Sequence, residues 1–199
     1  TTTPQRRTGA VTDGWGLRTV APELAERYRA NGWWTDENLG AVLDGCLRSD
    51  PDLGFHFYSG DRPWSGTWGE MAAQARQVAG GLAARGVGPG DVLAFQTPNW
   101  MEGAATFYAG ALLGAVVVPI VHIYGPKELG YILRQTRVRT LVVARRFGAN
   151  DYLANLSSVA DQVTDLDQVF VVGAETDDPL LGGAGAPGAA ALGRSRRWT

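Results

Sequence analysis

Cysteine, histidine and runs of positive charge are what this 199-residue chain has least of. The single cysteine, Cys46, cannot close an internal disulfide and has no companions at metal-ligand spacing. That excludes a disulfide-stapled scaffold and a thiolate metal centre, and it fits a reducing compartment, with the cytoplasm as the expectation. His56 and His122 stand far apart in the chain, and there is no HExxH, CxxC or GxSxG, so zinc-protease, dithiol and serine-hydrolase readings have no footing. Eighteen basic residues against twenty acidic ones give a formal charge of −2, and no basic stripe is interleaved with aromatics, which argues against nucleic acid as a partner. Arg6 and Arg7 are not followed by an apolar run of signal-peptide length, so no secretory signal is expected. The longest stretch without Asp, Glu, Lys or Arg, residues 103–126, could span a bilayer by length. It changes character at Gly114, from helical spacing to the β-branched run Val116-Val117-Val118, and so reads as a buried helix followed by a buried strand rather than a transmembrane segment.

What is present is enough apolar material for a core: 45% hydrophobic against 19% charged residues, which excludes wholesale disorder at this length. Residues 1–20 are expected to be a flexible arm, and Pro22 opens a first helix over residues 21–30. Residues 38–48 place Leu39, Val42, Leu43, Cys46 and Leu47 on one helical face, with Cys46 expected in the core. Two aromatic-rich runs, 54–58 and 63–68, flank the turn Ser59-Gly60-Asp61-Arg62 and predict a hairpin with His56 turned to solvent. Thr67 and Glu70 have capping-box spacing, Met71, Ala75, Val78 and Leu82 form the apolar stripe of a helix over 68–85, and Gly86 suits its left-handed end.

From there helices and strands alternate. A strand over 92–96 is followed by a helix over 100–113 capped by Asn99, then by a strand over 116–121. Pro126 opens a helix reaching residue 137, 140–144 is a strand, Asn150 caps a helix over 151–163, and 168–172 closes the series. Strict alternation with β-branched strands predicts an α/β fold, a partial parallel, doubly wound sheet covered by helices, preceded by a helical and β-hairpin lead-in. Residues 21–172 are taken as the folded region. The Gly/Ala-rich stretch 173–199, with Arg194, Arg196 and Arg197, is expected to be mostly unstructured.

A doubly wound sheet raises the question of a nucleotide, whose phosphates need bared backbone N–H groups at a strand-to-helix turn. None of the three turns here is GxGxxG or GxxxxGK[ST], and the glycines at 86, 88 and 90 lie between a helix and the next strand, the wrong polarity for a phosphate cradle. The run at 182–185 lacks the Lys-Ser or Lys-Thr that would complete a phosphate loop. Asp50 with Asp52, and Asp165 with Asp167, sit at turns and read as solvated residues rather than an acid/base pair.

The segment from Thr67 to Leu133 resembles the AMP-forming acyl-CoA synthetases of the adenylate-forming superfamily, the fatty-acid–CoA ligases in particular. The likeness is carried in order by Gly81-Leu82, by residues 86–92 (GVGPGDV), Pro98-Asn99, residues 114–119 (GAVVVP) and residues 128–133 (ELGYIL), with flanking likeness from about residue 24 to 172. The resemblance implies the N-terminal portion of a ligase that makes an acyl-adenylate and pyrophosphate from a carboxylic acid and ATP with Mg²⁺, and then passes the acyl group to the CoA thiol. The family's Ser/Thr/Gly-rich loop ending in Pro-Lys-Gly, its aromatic-Thr-Glu motif, ribose-binding Asp and C-terminal Lys match no position here. No catalytic, cofactor-binding or metal-binding residue is therefore carried over, and this chain alone is expected to be an inactive, truncated ligase. The alternative is a non-catalytic binding module of the same fold, completed by another chain. His122 and Tyr124, which follow the carboxyl end of a strand, are the candidates for lining a substrate pocket, a packed loop being the simpler account. Half a domain would also expose apolar surface, so self-association is expected.

Overall fold

The computed structural model describes residues 20–172 and, as a strand, Ala189–Leu192. The chain divides into two units, Thr1–Glu37 and Asn38–Thr199. In the first, helix α1 (Pro22–Ala30) starts at the expected proline and packs Tyr28 edge-on against Trp34, ring centroids 5.2 Å apart.

In the second unit the elements follow the predicted order. Helix α2 (Leu39–Ser49) is capped by Asn38, whose side chain accepts from the Ala41 N–H. Strands β1 (Gly54–Phe57) and β2 (Trp64–Thr67) pair antiparallel, with Phe55 and Phe57 half-buried and His56 exposed, as alternation requires. Thr67 and Glu70 close the reciprocal cap at the start of α3 (Trp68–Ala84), and Met71, Ala75, Val78 and Leu82 are all buried. Then come β3 (Val92–Gln96), α4 (Met101–Leu112), β4 (Val116–Pro119), α5 (Pro126–Thr136) and β5 (Thr140–Ala144). A two-residue ribbon, β6 (Arg146–Phe147) with β7 (Asn150–Asp151), precedes the short α6 (Tyr152–Ser157), a 3-10 turn at Ala160–Gln162 and β8 (Gln168–Val172).

Strands β4, β3, β5 and β8 form a parallel sheet in that order, and β9 (Ala189–Leu192) adds an antiparallel fifth strand on β8. Expected to be unstructured, the tail thus contributes at least this strand, because β8 offers an unpaired edge; the rest of the tail and the N-terminal arm lie outside the described residues. β5 and most of β8 are buried on both faces, the signature of a central parallel strand. The chain leaves β3 for β4 on one side and returns across it to β5 on the other. Right-handed crossovers therefore put α4 and α5 on opposite faces.

Three expectations are corrected. Of the predicted face Leu47 is buried and Leu43 half-buried, but Leu39 and Val42 are 52% and 45% exposed and Cys46 is exposed, because α2 turns inward on Gly40 and Leu47. Gly40 lets the helix come so close to α4 that an added Cβ would lie 2.4 Å from the Ala111 carbonyl oxygen, and this close approach sets the rotation of the helix. Strand β4 is an edge strand with Val116 exposed, so its β-branched run does not mark full burial. Caps also shift by one residue. Trp100, not Asn99, is the N-cap of α4, and Asp151, not Asn150, caps α6 through the Ala154 N–H. Among the described residues no helix is long and apolar enough to cross a membrane.

Candidate functional site

Ligands of open α/β sheets bind outside the carboxyl ends of the strands, at the point where the strand order reverses. Here that point lies between β3 and β5, beyond Gln96 and Ala144. The chain's own side chains fill it. The hairpin turn between β1 and β2 reaches the start of α4, where the Trp100 Nε1–H donates to Asp61 Oδ1 at 3.2 Å and the Arg62 guanidinium lies 4.9 Å over the Trp100 ring. Arg62 Nη2 also donates to Glu102 Oε1 in the first turn of α4, with only 17% and 9% of the two side chains exposed. A carboxylate there opposes the positive end of the helix dipole, and the guanidinium neutralises it. Burial raises the pKa of Asp61, but hydrogen bonds from the Ser59 hydroxyl and the Trp100 indole outweigh it and leave the carboxyl below its ordinary value. On the other side, Phe147 meets both Trp100 and His122 edge-to-face, with centroids 6.1 Å away in each case.

Beside this plug, towards β4, an open cleft of about 470 Å³ remains. Phe57 from the hairpin, Phe95 from β3, Trp100, Phe107 and Tyr108 on α4, and Val121 and His122 after β4 give it an aromatic lining. Its size and composition suit a small apolar ligand group with few polar anchors. Thr97 also lines the cleft, 7% exposed, with its hydroxyl buried and without a hydrogen-bond partner. Gly103 makes room for it, since a Cβ there would stand 2.4 Å from Thr97 Oγ1.

The structure separates the two predicted pocket residues. His122 is in the cleft wall, whereas Tyr124 does not line the cleft and is 37% exposed. Tyr124 takes part through its backbone. The fully buried Gln96 donates from Nε2 to the carbonyl oxygens of Val121 (3.3 Å) and Tyr124 (3.1 Å), and Asn150 Nδ2 donates to that of His122 (3.0 Å). Asn155 Nδ2 in turn donates to Asn150 Oδ1 at 2.7 Å. Sequence reasoning passed over Gln96, although an amide closing the run Val92-Leu93-Ala94-Phe95 is a readable oddity in a buried strand. The aromatic wall contributed by Phe57 depends on a tertiary contact that no spacing reveals. Among the described residues no group of three or more His, Cys, Asp or Glu is placed to hold a metal ion.

The profile of the family described as AMP-binding enzyme matches residues 51–189. Among curated proteins, a salicyl-AMP ligase / salicyl-S-ArCP synthetase of Mycobacterium tuberculosis is 33% identical over 144 residues, 69% of this chain and 25% of that protein. A medium-chain fatty-acid–CoA ligase of Escherichia coli is 26% identical over 145 residues, 73% and 25% of the respective lengths. Among solved structures, the anthranilate CoA ligase AuaEII in complex with anthranoyl-AMP aligns with a TM-score of 0.59 at 26% identity, over 69% of this chain and 25% of that one. Apo MbtA of Mycobacterium smegmatis aligns with a TM-score of 0.69 at 24% identity over 89% of this chain and 33% of that one, a likeness of fold. The chain thus spans about a quarter of the length of these curated relatives.

Proposed function

As this chain belongs to the AMP-binding enzyme family, we propose that it forms the N-terminal portion of an ATP-dependent, AMP-forming carboxylic-acid ligase, with fatty-acid–CoA ligation as its reaction. The family match across residues 51–189, in register with the alternating fold, carries this reading. In such a ligase the carboxylate attacks the α-phosphorus of ATP, forming the acyl-adenylate and expelling pyrophosphate. The thiol of CoA then adds to the acyl carbonyl, loses its proton, and displaces AMP. No metal-dependent step is assigned to the described residues, among which no group of three or more His, Cys, Asp or Glu is placed to hold a metal ion. Their proposed part is to form the sheet and the cleft, with His122 in its wall as the substrate-facing residue and Tyr124 holding the same loop through its backbone carbonyl. The 199 residues contain none of the phosphate-loop, ribose-binding or lysine motifs that the resemblance implies, so this polypeptide alone is proposed to be inactive and to expose apolar surface open to self-association. The cytoplasm is the proposed setting, on the single unpaired cysteine.

A second reading keeps the chemistry and changes the acid to an aryl one. It is favoured by the 33% identity to a salicyl-AMP ligase and by the aromatic lining of the cleft. Acid-dependent ATP–pyrophosphate exchange decides both points. The chain alone and a chimera joining it to the unmatched remainder of that salicyl-AMP ligase are assayed with octanoate and with salicylate. Exchange by the chimera and none by the chain supports the portion reading. Exchange by the chain alone refutes its inactivity, and a folded chimera silent with both acids removes the support for either substrate class.

A further inference from the structure

Val121, His122 and Tyr124 belong to the connection between β4 and α5, and all three of their carbonyl oxygens are taken by side-chain amides from elsewhere in the fold. Gln96 comes from the end of the neighbouring strand β3, and Asn150 from the β6–β7 ribbon beyond β5. Each amide is fixed in its orientation. Gln96 uses its NH₂ group on two carbonyls, and Asn150 has its oxygen occupied by Asn155, which leaves its NH₂ for His122. The arrangement has a cost, because Gln96 is fully buried and its Oε1 meets no donor. An acceptor without a donor weakens the arrangement, and an apolar side chain in its place would take the amide donor from both the Val121 and the Tyr124 carbonyl oxygens. The amide is thus tied to the conformation of the loop whose carbonyls it serves. That loop shows solvent 72% of Ile123 and 47% of Val121.

We propose that Gln96 and Asn150 are positioning residues that hold the β4–α5 loop in one conformation and thereby set the His122 wall of the cleft. The purpose given to the cleft rests on the ligase reading above; the clamp itself rests on hydrogen-bond geometry, so its test uses no catalysis. Gln96 acts on both flanks of His122, and Asn150 acts on His122 directly. Together they keep the imidazole against Phe147, where it lines the cleft instead of rotating into solvent. Two elements that are distant in sequence thus fix a third at the one end of the sheet where ligands of such folds bind.

The test is solution NMR of the 199-residue chain as wild type, Gln96→Leu, Gln96→Glu and Asn150→Ala. Backbone order parameters at residues 121–125 are expected near about 0.85 in the wild type and below about 0.6 in the Gln96 variants, the rigid and flexible ranges for amides. Carbonyl shifts are expected to change most at Val121 and Tyr124 in the Gln96 variants and at His122 in Asn150→Ala. In all three, the His122 ring protons lose the ring-current shift from Phe147. Gln96→Glu preserves size and, read at a pH at which its carboxyl is ionised, removes the donors, so it separates hydrogen bonding from packing. Variants that unfold at a lower temperature but keep a rigid loop and an unshifted His122 ring would overturn the proposal, since that is the pattern of a merely structural amide. Loosening in Gln96→Leu without loosening in Gln96→Glu would also overturn it, by assigning the effect to shape. A silent ligase chimera alongside a loosened loop would remove the ligase reading and leave the clamp in place.

Discussion

Two glycines of helix α2 give opposite predictions for the same substitution. A Cβ at Gly40 would meet the Ala111 carbonyl oxygen at 2.4 Å, the Ala111 carbonyl carbon at 3.1 Å and Asn38 Oδ1 at 3.2 Å. The first two are backbone atoms of α4 and cannot rotate away, so Gly40→Ala must push the two helices apart. Overpacking of this kind costs typically about 1–3 kcal/mol. Alanine recovers about 0.8–1 kcal/mol over glycine in a helix interior, and less in the first turn where Gly40 lies. The net expectation is a loss of about 1–2 kcal/mol, which at about 2–4 °C per kcal/mol for a chain of this size lowers Tm by roughly 2–8 °C. Gly45, five positions on in the same helix, has nothing within 4 Å of its added Cβ, so Gly45→Ala keeps the whole propensity gain and raises Tm by roughly 2–4 °C. Thermal melts followed by circular dichroism, with urea titrations at one temperature, read both. A Gly40→Ala chain as stable as the wild type would refute the close approach of α2 to α4, and with it the explanation of why α2 turns Cys46 outward.

The outward turn is itself checkable, since Cys46 in the folded chain is expected to react fully with a thiol-specific disulfide reagent without denaturant; protection until unfolding would restore the core placement read from the sequence. Acid should weaken the fold through Asp61 and Asp151. Asp61 is lowered by hydrogen bonds that outweigh its burial, and Asp151 first by the Ala154 N–H and then by Arg146. A carboxyl held below its ordinary value stabilises the fold fully above the unfolded value of 3.8 and loses that contribution as pH falls through the lower folded value. Urea midpoints are therefore expected to fall as pH drops below about 4, and to fall less in Asp61→Asn and Asp151→Asn; equal acid sensitivity in all three chains would contradict the assignment.

Signals confined to a few neighbouring residues were legible in the sequence. The Thr67–Glu70 cap, the stripe from Met71 to Leu82, Pro126 at the start of α5 and the run at 140–144 each gave the element observed. Near misses came where two adjacent residues could serve. Asn99 and Asn150 are good caps by type, but Asp151 is as good as its neighbour, and Asn150 is already committed to the His122 carbonyl. Helix α2 shows a deeper limit. Its apolar residues suggest one buried face, and the face chosen is the one where a glycine permits the closest approach. Strand order was not legible either, because the run at 116–118 reads alike at the centre and at the edge of a sheet. His122 could be nominated from its position after a strand, whereas Gln96 and Asn150 acquire their roles only once the sheet brings strand ends together.

The central place of β3 bears on how the chain is made. Among the described strands of the parallel sheet it is the first to be translated, yet it is flanked by β4 on one side and β5 on the other, both made later. At translation speeds of about 5–20 residues per second, several seconds separate the completion of β3 from the arrival of β5. Throughout that interval a strand of buried apolar residues has at least one edge unpaired, even once α4 and β4 have been added, because its second neighbour is β5. The nascent chain is then most exposed to wrong pairing while still attached to the ribosome, and slowing the delivery of residues 97–144 lengthens that hazard.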